Sequence, residues 1–100
     1  MIDSGVDGSG PELTGRVSAQ SIDASATRNT PVGTDGHATW VAGILANNFN
    51  GQGTVGVAYN STVLSVRADT TTTTTTACGT DVCISANLAA QGIDYAISHG

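Results

Sequence analysis

Two residues carry groups suited to moving a proton, and each stands where elements meet. Asp3 follows the apolar pair Met1-Ile2 and opens a turn of Ser, Gly and Asp. His37 comes 34 positions later, in Asp35-Gly36-His37-Ala38-Thr39. A carboxylate beside an imidazole is a general-base unit, in which the carboxylate orients the ring and balances the charge it gains. Each residue alone has a bland reading. Asp-Ser-Gly is an ordinary turn sequence, and a lone histidine is more often a helix-terminal or core residue than a base. Chemistry requires that the fold bring the two together.

The elements predict such a meeting. Residues 1–3 read as the end of a strand. Residues 11–34 hold Pro11, Gly15, Pro31 and Gly33 and read mostly as loop, with room for a short strand in 15–22. Asp35 is placed to cap a helix, and Val41, Ile44, Leu45 and Asn48 follow at helical spacing from His37. Residues 47–56, rich in Asn and Gly, read as a loop. Thr62 to Ala68 reads as a buried strand. Ser85 to Ser98 reads as a second helix with Ala86, Ala89, Ala90, Ile93 and Ile97 on one stripe, and Gly100 fits the position past its end. Strand, helix, strand, helix is the order of an α/β fold with a parallel sheet. Sites in such sheets lie beyond the carboxyl ends of the strands. Asp3 occupies such an end and His37 the start of the crossover helix.

Composition narrows the function classes. At 100 residues the chain is one small domain at most. It is 39% apolar and 11% charged, which excludes disorder through excess charge. The net charge is −5 and lysine is absent, so a basic nucleic-acid footprint is excluded. No apolar run nears the roughly 18 residues that span a bilayer, and no membrane contact is expected from this segment. There is no signal peptide at Met1, and both ends look cut: the expectation is a fragment of a longer protein.

Thr70 to Thr76 is a run of seven threonines followed by Cys78 and Cys83. Low complexity of this kind reads as a surface loop inserted at 70–83. Four residues separate the cysteines, and further ligands for a metal site are not nearby. A local disulfide, worth roughly 2 kcal/mol, is one reading and suits an exported protein; two unpaired thiols are the other. Asp7, Asp35, Asp94 and His99 read as solvated or capping residues.

Several motifs share a resemblance. Ile2-Asp3-Ser4-Gly5-Val6-Asp7 resembles the aspartate motif of the subtilisin-like serine proteases. Gly36-His37-Ala38-Thr39-Trp40-Val41-Ala42-Gly43 resembles their Gly-His-Gly-Thr-His-Val-Ala-Gly. Gly10-Pro11-Glu12-Leu13 resembles His-Pro-Asp-Leu with two changes. Val55-Gly56-Val57-Ala58, Leu64 to Ala68 and Gly92 to Ile97 match further segments in the family's order. Ala38 replaces a glycine and Trp40 a second histidine that is not the base.

The resemblance implies part of a three-layer, parallel-sheet subtilisin-like α/β fold, with residues 1–100 the N-terminal part of a peptidase domain. It implies a serine endopeptidase acting on polypeptides, with Asp3 orienting His37 and His37 serving as general base. The family's nucleophile lies in Gly-Thr-Ser-Met-Ala, which does not occur here, and its oxyanion asparagine also lies further on. The serine is therefore expected outside this chain, the chain is expected to be inactive alone, and the remainder of its own catalytic domain is its expected partner. The parent is expected to be secreted or on the cell surface. The chemistry requires no cofactor. A structural calcium is implied in the loop after the histidine helix, with Glu12, Asn48, Asn50, Gln52 and Thr54 as oxygen ligands. Two other readings stay open: a non-catalytic calcium-stabilised module of the same fold, and an unrelated parallel α/β hydrolase sharing the Asp turn by chance.

Overall fold

The structure is a computed structural model and describes residues 1–70 and 82–99. Its centre is a parallel sheet of three short strands in the order β1-β3-β2: β1 is Ile2–Asp3, β2 is Ile22–Asp23 and β3 is Val66–Arg67. Ile2 and Ile22 both pair with Val66, and Asp3 and Asp23 both pair with Arg67. Hydrogen bonding runs beyond these limits, from Val66 N to Met1 O, Ala68 N to Asp3 O, Ile22 N to Ser65 O and Ala24 N to Arg67 O. A central parallel strand is covered on both faces, and Ser65 to Ala68 are all buried.

Two helices accompany the sheet. Helix α1, His37–Ala46, buries Ala38, Ala42, Gly43 and Ala46. Ala38 and Ala42 pack with Val6 and Leu13, and Met1 and Val17 flank that cluster. Ile44 and Leu45, two of the residues that mark the helical spacing, are exposed. The face of small residues lets α1 lie close to the turn that leaves β1. The Gly-Val-Ala turn then closes the helix: Val57 N donates to Ile44 O, Ala58 N to Leu45 O and Gly56 N to Asn47 O. Carbonyls left open at a helix end thus find partners.

Helix α2, Ala86–His99, packs on β1 and β3. Its buried residue is Gly92, where an added Cβ would stand 2.9 Å from Val66 and 3.4 Å from Ile2. The expected stripe through Ile93 and Ile97 is corrected: these are 53% and 78% exposed. Close approach to the sheet selects the glycine, and the isoleucines, displaced around the helix, face outward.

Other boundaries shift modestly. The strand expected within 15–22 lies at Ile22–Asp23, and Val17 contributes one parallel bridge to Val63. The strand of residues 62–68 narrows to Val66–Arg67. Beyond it, β4 (Asp69–Thr70) pairs antiparallel with β5 (Cys83–Ile84), with Thr70 opposite Cys83. The threonines from 71 to 76, Cys78 and Gly100 lie outside the described residues, and so does the Cys78–Cys83 pairing. Among the described residues, no helix is long and apolar enough to cross a membrane.

Candidate active site

Asp3 ends β1, and the chain must then turn sharply under the loop that leads to α1. Gly5 makes that turn at φ +96°, a conformation that disfavours any side chain. Gly33 lies directly on it and donates its N–H to Gly5 O at 3.3 Å. A Cβ at Gly33 would overlap the Ser4 carbonyl oxygen, and one at Gly5 would overlap Pro31 O. Two glycines therefore let two backbones touch, and this contact brings the 31–36 loop over the end of β1.

His37 is the first residue of α1, and its Nδ1 lies 3.0 Å from Asp3 Oδ1. The structure thus brings together the two residues singled out for proton transfer. The Asp3 side chain is 17% exposed and that of His37 67%. Burial pushes the Asp3 carboxyl upward, but hydrogen bonds from the Ser4 amide at 2.6 Å and from His37 outweigh it, so the group sits below its ordinary value. Asp3 is therefore ionised at neutral pH, and the ring donates from Nδ1. That tautomer leaves the Nε2 lone pair free to accept a proton.

The surroundings include residues whose roles were not read from the sequence. Gly36, not Asp35, occupies the cap position of α1, and it has no side chain to offer. Asp35 Oδ1 nevertheless accepts the His37 N–H at 2.8 Å and the Ser4 hydroxyl at 3.1 Å. Thr39 Oγ1 accepts the Asp7 N–H at 3.0 Å, tying the turn after β1 to the helix. Arg67, the register partner of Asp3, donates to Thr30 O and Val32 O at 3.1 and 2.7 Å. Its guanidinium also grips Asp69, at 2.7 Å and 3.1 Å. Arg28 joins this network through Asp23 and Asp69. Burial opposes ionisation of Asp23, but Arg28 and the amides of Thr30 and Ser25 prevail and lower its carboxyl to about 2. The one available signal was position: Arg67 is the charged residue in a stretch, 62–68, that reads as a buried strand.

The expected cation ligands lie on and beside the loop after α1, and their fit is mixed. Glu12 supports it. Its Oε2 is buried without a hydrogen-bond partner, and a Cβ at Gly53 would strike the carboxylate. Asn47, absent from the expected set, has a buried Oδ1 that also lacks a partner, while its Nδ2 donates to Thr54 Oγ1 at 2.9 Å. Glu12, Asn47 and Thr54 line one cavity of about 430 Å³. Asn50 fits less well, because its side-chain oxygen accepts the Gln52 N–H. The Asn48 side chain is committed to Arg16, Pro11 and Thr14, which leaves its backbone carbonyl for a ligand role. Trp40 lines the same cavity and its ring packs over Gly36.

No curated protein matches the chain. A family model described as the subtilase family matches residues 1–98, a span that holds both Asp3 and His37. The chain belongs to the subtilase family, a family of serine peptidases.

Proposed function

We propose that this chain supplies the acid and the base of an Asp-His-Ser triad in a serine endopeptidase domain. The observation that carries the reading is the 3.0 Å hydrogen bond between Asp3 Oδ1 and His37 Nδ1, with the opposite edge of an exposed ring left open. Nε2 takes the proton of a serine hydroxyl as that oxygen attacks a peptide carbonyl, and then returns it to the leaving amine. Asp3 stays ionised and holds the ring in the tautomer that this needs. The serine and the oxyanion donor belong to chain beyond Gly100, and polypeptides are the substrates. The parent is an exported protein, secreted or at the cell surface, with Cys78 and Cys83 joined in a disulfide. A structural calcium is part of the reading: Glu12 supplies its charge, and oxygens of Asn47, Asn48, Asn50, Gln52 and Thr54 are its candidate neutral ligands. It stabilises the loop and takes no part in the reaction.

The test is turnover of a fluorogenic peptide by the intact peptidase domain. His37→Ala should abolish turnover. Asp3→Asn should lower it roughly 10⁴-fold, the size known for triad aspartates in serine peptidases. The 100-residue chain alone should resist labelling by a serine-directed fluorophosphonate. Wild-type turnover in His37→Ala, or stoichiometric labelling of the short chain, would refute the reading.

A further inference from the structure

We propose that Asp35 is a positioning residue for the proton-transfer pair, setting the separation of Asp3 and His37 by fastening the turn after β1 to the first residue of α1. The proposal rests on the reading of Asp3 and His37 as the acid and base of the triad. Four hydrogen bonds form a closed ring here. The Ser4 amide donates to Asp3 Oδ1 at 2.6 Å, and the Ser4 hydroxyl to Asp35 Oδ1 at 3.1 Å. The His37 amide donates to that same Asp35 oxygen at 2.8 Å, and the His37 ring closes the circuit on Asp3 Oδ1 at 3.0 Å. Ser4 is fully buried, so its hydroxyl needs a protein partner and finds it in Asp35. Bonds to a carboxylate are about twice as strong as neutral ones. A ring of this kind resists opening at any single link.

A helix cap alone would not have this form. The cap position belongs to Gly36, which contributes no side chain, and Asp35 reaches the first helical amide from one residue further out. What separates Asp35 from a cap is its second bond, to the buried hydroxyl of the residue that follows Asp3. Arg67 fastens the same loop at Thr30 and Val32, but Asp35 is the link adjoining both members of the pair. Without it, the start of α1 can turn relative to β1, and the Asp3–His37 bond lengthens while the substrate contacts stay in place.

The experiment compares Asp35→Ala, Asp35→Asn, Ser4→Ala and His37→Ala in the intact peptidase domain, well below its melting temperature, with competent sites titrated by a fluorophosphonate. Asp35→Ala should lower kcat about 10- to 100-fold, with KM within about twofold of wild type. The amide oxygen of Asp35→Asn accepts both bonds, so that variant should return kcat to within about threefold of wild type. Ser4→Ala breaks one link and should lower kcat roughly three- to tenfold. Combining it with Asp35→Ala should cost little beyond Asp35→Ala alone, because both act through one contact. Wild-type kcat per titrated site in Asp35→Ala, with only a lower melting temperature, would make Asp35 a cap and overturn the proposal. Equal loss in Asp35→Asn and Asp35→Ala would also overturn it. If Asp35→Ala does not fold, Ser4→Ala decides, and an unchanged kcat there sinks the idea. His37→Ala separates the two levels: full activity in that variant fails the triad reading itself, whereas a dead His37→Ala beside an active Asp35→Ala fails the positioning role alone.

Discussion

Adding one methyl group at Gly33 should damage catalysis out of proportion to its size. The backbone there lies outside the left-handed region, so conformation does not oppose alanine; space does. The new Cβ would overlap the Ser4 carbonyl oxygen, stand 2.9 Å from the Ser4 carbonyl carbon and 3.1 Å from Gly5 O. All three atoms are backbone, which cannot swing aside as a side chain would. Relief requires the 31–36 loop to lift from the turn after β1 by about 1 Å, against an interior that is close-packed. His37 rides on that loop, and its bond to Asp3 spans 3.0 Å. A lift of that size carries the pair past the ~3.5 Å at which a hydrogen bond is lost. The expected cost is about 1–3 kcal/mol of stability and roughly 10²-fold in kcat/KM, the scale of a 1 Å misplacement. The assay is peptide hydrolysis by the intact domain, with thermal unfolding of the same variants. Gly10→Ala is the control, because a Cβ there meets nothing within 4 Å. If Gly33→Ala matches Gly10→Ala in both kcat/KM and melting temperature, the backbone contact does not hold the pair and the reasoning fails.

The Asp23–Arg28 pair predicts an acid limb to stability. Asp23 is held at about 2, below its ordinary 3.8, so it contributes stability above the ordinary value that is lost as the pH falls from about 4 through 2. A shift of this size is worth at most about 2.4 kcal/mol at neutral pH, and solvent screening brings it toward ~1 kcal/mol. Asp23→Asn should therefore destabilise a serine-to-alanine form of the domain by about 1 kcal/mol at pH 7 and by nearly nothing at pH 2, as read by urea unfolding; a pH-independent difference would refute the assignment. Calcium at about 100 times its dissociation constant should add roughly 2.7 kcal/mol to the same protein, and Glu12→Gln should abolish most of that gain. A melting temperature that stays the same in chelator and in millimolar calcium would end the calcium reading.

Much of the candidate site could be read from the residues because Asp3 and His37 stand at element ends. A strand end and a helix start can be found from local pattern, and the parallel α/β order then forces them together. Less legible were features set by three-dimensional closeness. Small and large residues alternate around α1, and the helical spacing that marks this element runs through the large ones, Val41, Ile44 and Leu45. The helix instead turns alanines inward, where Ala38 and Ala42 pack with Val6 and Leu13. In α2 the expected stripe gives way to Gly92, which wins the sheet-facing position because a side chain there would meet Val66 and Ile2. Hydropathy rewards bulk, whereas close approach of a helix to its neighbours rewards its absence.

Polar residues show the converse. Asp35 reads in sequence as a solvated or capping acid and Arg67 as part of a buried strand, yet both fasten the loop that carries His37. Their partners are mostly backbone carbonyls, amides and a buried hydroxyl, groups that every segment has and that leave no pattern to find. Proton transfer needs two side chains held at a fixed distance across two segments, and neither segment can set that distance by itself. The Gly5–Gly33 contact lets the segments approach, Arg67 keeps the loop down, and Asp35 fixes the last few residues before the ring. Losing the glycine contact should displace the loop as a whole, whereas losing Asp35 should free only its end. Gly33→Ala is therefore expected to raise KM along with lowering kcat, and Asp35→Ala to lower kcat with KM nearly unchanged. If the two variants give the same split, the hierarchy of approach, clamp and final positioning is wrong, even with both residues important.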